Sequence, residues 1–409
     1  MSDLLSLVIV TSPASWLLLV ATMAALIAIP RLFGMHYFTG LAYAQMTLTF
    51  NAVTIVAGLE NDAVTPARAV HFYVVEFAFL VLVFAAYRHL LLHRSRVLAA
   101  LQAFFAGRGA AVLVGLMALL AAFNVIIVPT NGESRIAYMT SSWFSLLKPM
   151  IQLATPLAYI GVPIMLLDRS RRGLGFTLLV ITIASNIFSG SKASFLFFLL
   201  TAFLVLRDLM GESFRVARAD RWRLALIVVP LTALTLTRLD VSPADVSDRF
   251  LLFGESTILT YYSDTPTEAC EGVSTLASMH RGIARALGDP SANDIDTLFG
   301  FALSKLQTGE NTLTGPNGRL GSYFICNFPG EKIALGCIMV TIYFALLLKL
   351  HARSLRRPAL LPVVFPYIVT SLGLASQDYN LLMADITLAT LLLFITLPLF
   401  PAQRTVPFG

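Results

Sequence analysis

Apolar residues occur along this chain in long continuous stretches, separated by short polar segments in which arginine is frequent. The strands of a membrane barrel would instead alternate apolar and polar positions. A stretch of about twenty apolar residues is typical of a helix that crosses a bilayer, because its backbone hydrogen bonds are satisfied within the segment. Eleven stretches fit this pattern: Leu4–Ile29, Tyr37–Leu59, Val70–Tyr87, Ala110–Val128, Leu146–Leu167, Leu174–Phe188, Ala193–Leu206, Leu224–Leu239, Ile333–Leu350, Ala359–Leu374 and Leu381–Phe400.

The composition agrees with an all-α fold, a polytopic membrane helical bundle of about eleven transmembrane helices. Hydrophobic residues make up 57% of the 409 residues and charged residues only 13%, whereas soluble domains have about 45–50% and 25%. The first stretch has no basic residue before it and is longer than a signal-peptide core, so we expect it to be retained. Three regions are predicted: helices 1 to 8 in residues 1–239, a large loop in residues 240–330, and helices 9 to 11 in residues 331–409.

The positive charges of the connecting segments alternate along the chain. Eighteen Lys and Arg residues fall in every second segment, and three, Arg68, Arg135 and Lys192, fall in the short segments between them. Because cytoplasmic loops retain Lys and Arg, we expect the larger set in the cytoplasm, the N-terminus outside and the C-terminus inside. This topology explains the net charge of +6. No basic stretch is interleaved with aromatic residues, so no nucleic-acid partner is expected.

The loop of residues 240–330 has the composition of a soluble segment. It holds eleven acidic and five basic residues, so an anion site within it would have to be local. Ala277–Leu287 and Ile295–Leu306 have apolar residues at the spacing of amphipathic helices. Gly309–Gly321 is rich in turn residues, including Pro-Asn-Gly, and closely precedes the ninth stretch. This segment is either a binding element near the bilayer surface or a surface turn without a ligand.

Two of the three cysteines, Cys270 and Cys326, lie in this loop. An oxidising compartment would allow a disulfide between them, and two separate thiols are the alternative. No spacing typical of metal ligands occurs in the sequence. We therefore expect neither a metal nor a cofactor.

Basic residues from separate parts of the chain are expected near the outer face, namely Arg135, Lys148, Lys192, Arg249 and Arg319. Arg contacts phosphate oxygens in a bidentate manner, and Lys supplies a point charge. Their shared depth predicts a site for a lipid diphosphate. Taken singly, each is more typical of a side chain that snorkels to the interface or forms a local salt bridge.

Several titratable residues are candidates for proton transfer. Glu76 in the third stretch and Asp385 in the eleventh are expected to be buried acids, which serve a proton path or, more often, pair with a polar partner inside the bundle. His71, His280 and Glu310 lie toward the outer face and are candidates for a general base.

Three short motifs lie in the outer segments. They are the hairpin Ser189-Gly190-Ser191-Lys192-Ala193-Ser194, the turn Thr314-Gly315-Pro316-Asn317-Gly318-Arg319-Leu320 followed by Phe328-Pro329-Gly330, and the pair Arg319 and Gly330 with ten residues between them. Together with the many spans and the large late loop, these motifs resemble the Wzy-type O-antigen and oligosaccharide repeat-unit polymerases. That family is related to the O-antigen ligases and to membrane glycosyltransferases of the GT-C kind. A second Arg–Gly pair of this spacing does not occur in Pro129–Phe144.

The resemblance implies glycosyl transfer at the periplasmic face of a bacterial inner membrane, in the synthesis of O-antigen or another surface polysaccharide. A glycan on undecaprenyl diphosphate would move to an incoming lipid-linked repeat unit, and the lipid diphosphate would be the leaving group. The expected partners are the undecaprenyl-diphosphate-linked oligosaccharide, the lipid bilayer and a chain-length regulator protein.

The resemblance also implies residue roles. His280 or Glu310 would accept the proton of the acceptor hydroxyl. The diphosphate and glycan would be bound by a larger polar set: Arg135, Lys148, Lys192, Arg249, Arg281, Asn317, Arg319 and Tyr323. The cations of this set would stabilise the developing charge as preorganised donors and so take the place of a metal.

Other functions stay open at this point. An O-antigen ligase or another lipid-linked-sugar glycosyltransferase would use the same kind of donor, and Glu60 and Asp62 fit loosely to the early acidic pair of metal-using members. A transporter or flippase is an alternative of another class. It would be expected to contain internal repeats and broken helices, and the sequence contains no convincing repeat. A non-catalytic assembly protein is a third possibility.

Overall fold

The computed structural model describes residues 12–40, 42–127, 142–188, 194–211, 214, 257–262, 319–375 and 379–402. Every regular element in these ranges is helical, as predicted. The helices are α1 Pro13–Leu32, α2 Tyr37–Gly40, α3 Ala42–Glu60, α4 Pro66–Leu91, α5 Arg94–Ala106, α6 Gly109–Ile127, α7 Ser142–Leu167, α8 Arg172–Phe188, α9 Ser194–Met210, α10 Leu320–Asn327, α11 Ile333–Ser354, α12 Leu361–Ala375 and α13 Tyr379–Thr396. A π-helical turn covers Ile258–Tyr262, and short 3-10 turns cover Gly330–Lys332 and Leu397–Leu399.

The predicted apolar stretches coincide with these helices, apart from the eighth, Leu224–Leu239, which lies outside the described residues. Among the described residues, four segments are long and apolar enough to cross a bilayer, namely Ser15–Leu32, Pro66–Leu91, Pro149–Leu167 and Gly330–Ser354. A fifth span results if the bent pair formed by α5 and α6 counts as one. The described residues are therefore all-helical and contain four or five candidate membrane-spanning segments, which is consistent with a membrane protein; the number of eleven spans stays a prediction.

Local sequence sets where the long helices begin and bend. α4 starts at Pro66, whose fixed φ suits the first helical position, and the Thr65 hydroxyl accepts a hydrogen bond from the Arg68 amide at 3.4 Å. α7 contains three prolines, Pro149, Pro156 and Pro163, each of which removes a hydrogen bond from the helix. Neighbouring helices enclose much of α7, whose spanning segment is 67% buried. Such enclosure is the setting in which membrane helices tolerate proline.

α4 is apolar on nearly all sides. Phe72, Phe79 and Val83 are buried in the bundle, while Val70 and Val74 point outward and are 61% and 58% exposed. A helix that is apolar all round is typical of a segment surrounded partly by protein and partly by lipid. α4 therefore has both a protein-facing side and a lipid-facing side.

α5 lies in a segment that was predicted as a connecting loop between the third and fourth spans. It is bent by 73° from α6 and contacts α7, α9 and α12. Val97, Leu101 and Phe105 are buried at four-residue spacing, whereas Arg94 and Arg96 are exposed. α5 is thus an amphipathic helix that packs across one end of the bundle.

Contacts between helix ends show that one end of the bundle is strongly basic. The rings of His93, after α4, and His351, in the last turn of α11, lie 6.3 Å apart. Arg171 donates a hydrogen bond to the carbonyl of Ala106. The basic residues near this end, among those described, are Arg31, Arg88, Arg94, Arg96, Arg108, Arg169, Arg171, Arg172, Arg207, Lys349, Arg353, Arg356 and Arg357. We call it the basic end; which side of the membrane it faces stays a prediction.

The opposite end carries few described cations. The Ser12 amide donates to the Glu60 carboxylate at 3.1 Å, which joins the start of α1 to the end of α3. Glu60, Asp62 and Glu331 are exposed at this end. Among the described residues here, Lys332 is an exposed base, and Arg68 is partly exposed. We call this the acidic end. The described bases that were predicted to be cytoplasmic therefore share one end of the fold.

Two parts of the predicted loop of residues 240–330 lie among the helices. Tyr261 in the π-helical turn is fully buried, and so is Tyr323 in α10. α10 packs against α4, α11 and α13, and the π-helical turn packs against α3 and α10. The rest of this loop, including the predicted helices Ala277–Leu287 and Ile295–Leu306, lies outside the described residues.

Candidate functional site

A buried ion pair joins Glu76 in α4 to Arg319, the residue immediately before α10. The Arg319 Nε donates to Glu76 Oε2 at 3.1 Å, and its Nη2 contacts the same oxygen. Glu76 is fully buried, and Arg319 is 3% exposed. The two residues are 243 positions apart in the sequence. The ion pair therefore fixes the end of the large loop to the interior of the bundle.

Glu76 also holds the N-terminus of α10. The Gly321 amide donates to Glu76 Oε1 at 2.9 Å, while the N-cap residue of α10, Arg319, provides no side-chain cap. A carboxylate at a helix N-terminus is stabilised by the unpaired amides and by the helix dipole. Because α10 has only eight residues, it would not form in isolation. Its helical structure depends on this docking.

At Gly321 there is no space for a side chain between α10 and its neighbours. A Cβ at this position would lie 2.7 Å from the Tyr261 hydroxyl oxygen and 3.3 Å from the Phe72 ring. Real Cβ atoms essentially never come within 3.0 Å of such an atom, so the Tyr261 side chain or α10 would have to shift. The missing side chain therefore allows α10 to approach Glu76 and Tyr261.

Tyr261 lies beside the ion pair and contacts two further residues of α4. Arg68 Nη1 donates to the Tyr261 carbonyl at 2.8 Å. The Tyr261 hydroxyl is 3.1 Å from His71 Nδ1, so this hydrogen bond fixes one side of the imidazole. Short π-helical segments are frequently found at functional sites. We call Arg68, His71, Glu76, Tyr261 and Arg319 the polar column.

Polar contacts anchor the π-helical turn on both sides. The Thr260 and Ser322 hydroxyls are 3.1 Å apart, and the Tyr262 hydroxyl donates to the Thr54 carbonyl at 2.6 Å. Thr257 also donates to Asn51 in α3. These contacts connect the turn to α3 and α10, so Tyr261 is held in place by its neighbours.

The polar column runs from near the start of α4 into the bundle. At a rise of 1.5 Å per residue, His71 lies about 8 Å and Glu76 about 15 Å along the helix from Pro66. Arg68 and His71 are partly exposed, whereas Glu76, Tyr261 and Arg319 are buried. The column thus has an accessible end near the start of α4 and a buried end at the ion pair.

Ionisable residues inside a membrane bundle are costly and usually mark a functional path or site. A buried ion pair does not by itself favour stability, because desolvation of the charges opposes their attraction. Here the ion pair also binds the end of the large loop through Arg319 and the N-terminus of α10 through Gly321. Tyr261, which lies beside the pair, is hydrogen-bonded to His71. This combination makes the polar column the strongest candidate site in the described residues.

Two of the predicted substrate-binding residues are described with their side chains, and they lie close together. Arg319 is in the polar column. Tyr323, one turn into α10, is fully buried, donates its amide to the Arg319 carbonyl at 2.9 Å and packs its ring 6.3 Å from that of Phe328. Tyr323 therefore lies within the same short helix as the site, with its ring in the core.

The other predicted site residues are not described. Lys148 lies in the first two turns of α7, and its side chain is outside the described residues. The remaining ones fall wholly outside them: Arg135, Lys192, Arg249, His280, Arg281, Glu310 and Asn317. The predicted convergence of five cations near the outer face therefore stays a prediction. The same applies to Asp385, whose side chain is not described.

The structure describes two of the three cysteines. Cys326, at the end of α10, is disulfide-bonded, and Cys337 in α11 is a free thiol. Cys270 lies outside the described residues, so its pairing with Cys326 stays a prediction. A disulfide one turn beyond Tyr323 would restrict the movement of the helix that follows Arg319.

A second buried acid, Asp208, lies near the basic end and is bound differently. Its two carboxylate oxygens accept hydrogen bonds from the amides of His36 and Tyr37, both at 2.8 Å, and from the Tyr87 hydroxyl at 2.9 Å. The Tyr37 ring stacks on that of Tyr87 with 4.4 Å between centroids. Neutral donors thus satisfy Asp208 and join α2, α4 and α9.

The described residues contain no group of three or more His, Cys, Asp or Glu side chains that could hold a metal ion.

The sequence predicts that Glu76, as a buried acid, pairs with a polar partner inside the bundle, but spacing does not identify Arg319 as that partner. His71 was a candidate because of its outward position. Arg68 and Tyr261 were not singled out, and their hydrogen bonds depend on a turn from the distant loop.

No family model, no curated protein and no solved structure matches this chain.

Proposed function

We propose that this membrane protein is a glycosyltransferase that joins undecaprenyl-diphosphate-linked oligosaccharide units at the periplasmic face. The observation that carries the proposal is Arg319. It lies in the motif that resembles the repeat-unit polymerases and is held inside the bundle by Glu76. A guanidinium fixed in a low-dielectric environment is suited to stabilise the charge that develops on a diphosphate leaving group.

The proposed orientation places the basic end in the cytoplasm and the polar column toward the periplasm. The contrast in described charges between the two ends supports it, because Lys and Arg are retained on the cytoplasmic side. The disulfide at Cys326 supports it independently, since disulfides persist in oxidising compartments such as the periplasm. Both observations favour a position of α10 toward the periplasmic side.

Glu76 acts in this proposal as a positioning residue. It engages Nε and Nη2 of Arg319 and one amide of α10, so the guanidinium has a fixed direction. Arg68 would add a second guanidinium at the accessible end of the polar column. A lipid diphosphate that enters from the bilayer near the start of α4 would meet Arg68 first and Arg319 deeper in the bundle.

The transfer step requires a group that accepts the proton of the acceptor hydroxyl. In the proposed step the hydroxyl oxygen bonds to the anomeric carbon, the bond from that carbon to the diphosphate oxygen breaks, and the leaving diphosphate keeps the electron pair. His280 and Glu310 stay the proposed bases from the sequence motifs. Further diphosphate and glycan contacts are proposed for Arg135, Lys148, Lys192, Arg249, Arg281 and Asn317. Tyr323, whose ring is buried in the core, would position α10 instead of contacting the glycan.

The direct test is extension of a lipid-linked repeat unit by the purified protein in lipid nanodiscs. The substrate is the undecaprenyl-diphosphate oligosaccharide fraction of the source cells, and products are followed as a ladder on gels. We expect Arg319→Lys, which keeps the charge but loses the fork of donors, to slow extension by about 100-fold or more. Lys332→Gln, an exposed cation at the same end, is the matched control and should extend at the wild-type rate.

Other outcomes separate the alternative functions. A wild-type protein that transfers a single preformed glycan to a lipid acceptor, without a ladder, would be a ligase of the same donor class. A wild type that gives no transfer, yet supports protonophore-sensitive uptake of a solute in vesicles, would be a transporter and would contradict the proposal.

A further inference from the structure

His351, in the last turn of α11, is buried without a polar partner in the part of the chain that the structure describes. Its side chain is fully buried, and neither ring nitrogen has a hydrogen-bond partner. The neutral imidazole ring carries one N–H donor and one acceptor, whereas the protonated ring carries two donors and a charge. Burial of an unpaired polar group is unfavourable, and burial of an unpaired charge is far more so. The surroundings of His351 therefore accommodate the neutral ring much better than the protonated one.

Two further histidines connect this buried ring to the surface at the basic end. The ring centre of His93, the N-cap residue of α5, lies 6.3 Å from that of His351. The ring centre of His89, in the last turn of α4, lies 6.4 Å from that of His93, and both residues are partly exposed. A charge on one ring opposes a charge on the next. We call His89, His93 and His351 the histidine cluster.

The other side of His351 is apolar. The ring of Phe365 in α12 lies 6.3 Å from that of His351, and α12 contains no charged residue. The guanidiniums of Arg88 and Arg353 lie over the rings of other aromatic residues. The remaining charged side chains on α5, α11 and α13 are Arg94, Arg96 and Lys349, which are exposed, and Asp385, which is not described. Within the described residues, no acidic side chain is therefore placed to offset a proton on His351.

We propose that the histidine cluster is an acid-sensitive contact between the end of α4 and the last turn of α11, which loosens when the pH at the basic end falls below about 6.5. Unfolded histidine takes up a proton near this pH. Burial, then Arg96 and His89, lower the pKa of His93 in the folded protein. Below about pH 6.5 the open form therefore binds more protons than the closed form, so the contact is complete above this pH and weakens as the pH falls.

With the predicted orientation, the cluster would respond to cytoplasmic pH. This proposal does not depend on the proposed glycosyl transfer.

The test measures unfolding of the whole protein in detergent at pH values one unit above and one unit below about 6.5. Each histidine that stays neutral in the fold should raise the unfolding equilibrium constant by about tenfold between the higher and the lower pH. His351→Phe places an apolar ring beside Phe365 and removes one such factor, so its pH dependence should be about tenfold smaller than that of the wild type. Hydrogen exchange at the end of α4 and the last turn of α11, corrected for the intrinsic pH dependence of exchange, should rise on acidification in the wild type but not in His351→Phe.

His36→Gln is the matched control, because His36 is a partly exposed histidine near the same end but outside the cluster. It should keep the wild-type pH dependence. An equal pH dependence of the wild type and His351→Phe would overturn the proposal, as would the same change in His36→Gln. If His351→Phe does not fold, His93→Gln takes its place and should reduce the pH dependence by up to about tenfold; an unchanged pH dependence in that variant would also overturn the proposal.

Discussion

Glu76 and Asp208 are both carboxylates buried in the same bundle, but their partners differ. Asp208 accepts hydrogen bonds from two amides and a tyrosine hydroxyl, all from neighbouring helices near the basic end. Glu76 binds the guanidinium of Arg319 and the first turn of a short helix from the large loop. One acid joins helices through neutral donors, and the other holds a cation in a fixed position.

This difference separates a structural role from a candidate functional one. An acid that only joins helices needs donors, and neutral donors avoid the desolvation of a second charge. A buried ion pair requires the desolvation of two charges, which opposes the stabilisation from their attraction. The ion pair at Glu76 is explained if the cation serves a ligand, which the proposed diphosphate would be.

The largest expected effect follows from breaking the ion pair. Arg319→Ala leaves a buried carboxylate without its cation, so the free energy of unfolding should fall by about 3–5 kcal/mol. Thermal and denaturant unfolding in detergent measure this loss. The double variant Glu76→Ala with Arg319→Ala removes both charges and should be less destabilised than Arg319→Ala alone. The single variant Glu76→Ala completes the cycle, and a loss in the double variant equal to the sum of the two single losses would show that the charges do not interact.

Asp208→Ala should have a smaller effect on stability and none on chemistry. It removes the acceptor of two amides and the Tyr87 hydroxyl, which we expect to cost about 2–3 kcal/mol. Unfolding in detergent measures the loss, and extension assays on the folded fraction measure activity. If the activity per folded molecule of Asp208→Ala falls as far as that of Arg319→Lys, Asp208 is not merely structural, and the distinction drawn between Asp208 and Glu76 is wrong.

Gly321→Ala tests how closely α10 must approach the polar column. The added methyl group would meet the Tyr261 hydroxyl oxygen at 2.7 Å, so we expect a loss of about 1–2 kcal/mol from overpacking. Gly115→Ala in α6 is the matched control, because a Cβ there would meet no atom within 4 Å. The control should be neutral or more stable by up to about 1 kcal/mol. Equal stability of the two variants would contradict the described approach of α10.

Tyr261→Phe should have the smallest effect. It removes the hydroxyl that contacts His71 Nδ1, and the loss of one hydrogen bond costs about 1 kcal/mol. Tyr73→Phe is the control, since the Tyr73 hydroxyl is buried without a described hydrogen-bond partner. Its removal should be neutral or slightly stabilising. A control that loses as much stability as Tyr261→Phe would assign the effect to packing instead of to the hydrogen bond.

The sequence predicts the helices better than it predicts the site. Continuous apolar stretches place nearly every described helix, because lipid requires each span to satisfy its own backbone. α5 was missed because Arg94, Arg96 and Arg108 made its segment resemble a loop. Val97, Leu101 and Phe105 at four-residue spacing were the signal that could have identified it.

The site depends on contacts between distant positions. Arg319 was identified through a motif, and Glu76 through its charge in an apolar stretch. Their pairing spans 243 residues, and neither periodicity nor motif spacing carries information about which loop segment enters the bundle. Tyr261 was missed for the same reason, since its role arises from a turn that packs between α3 and α10.

Charge reversal of the ion pair tests the central claim most directly. The variant that combines Glu76→Arg with Arg319→Glu keeps two opposite charges in the bundle, so we expect it to be more stable than Arg319→Ala. It also moves the guanidinium from α10 to α4, and we predict that the purified protein in nanodiscs no longer extends the lipid-linked repeat unit. Extension at the wild-type rate by this variant would show that the pair only stabilises the fold, and would contradict the proposed role of Arg319.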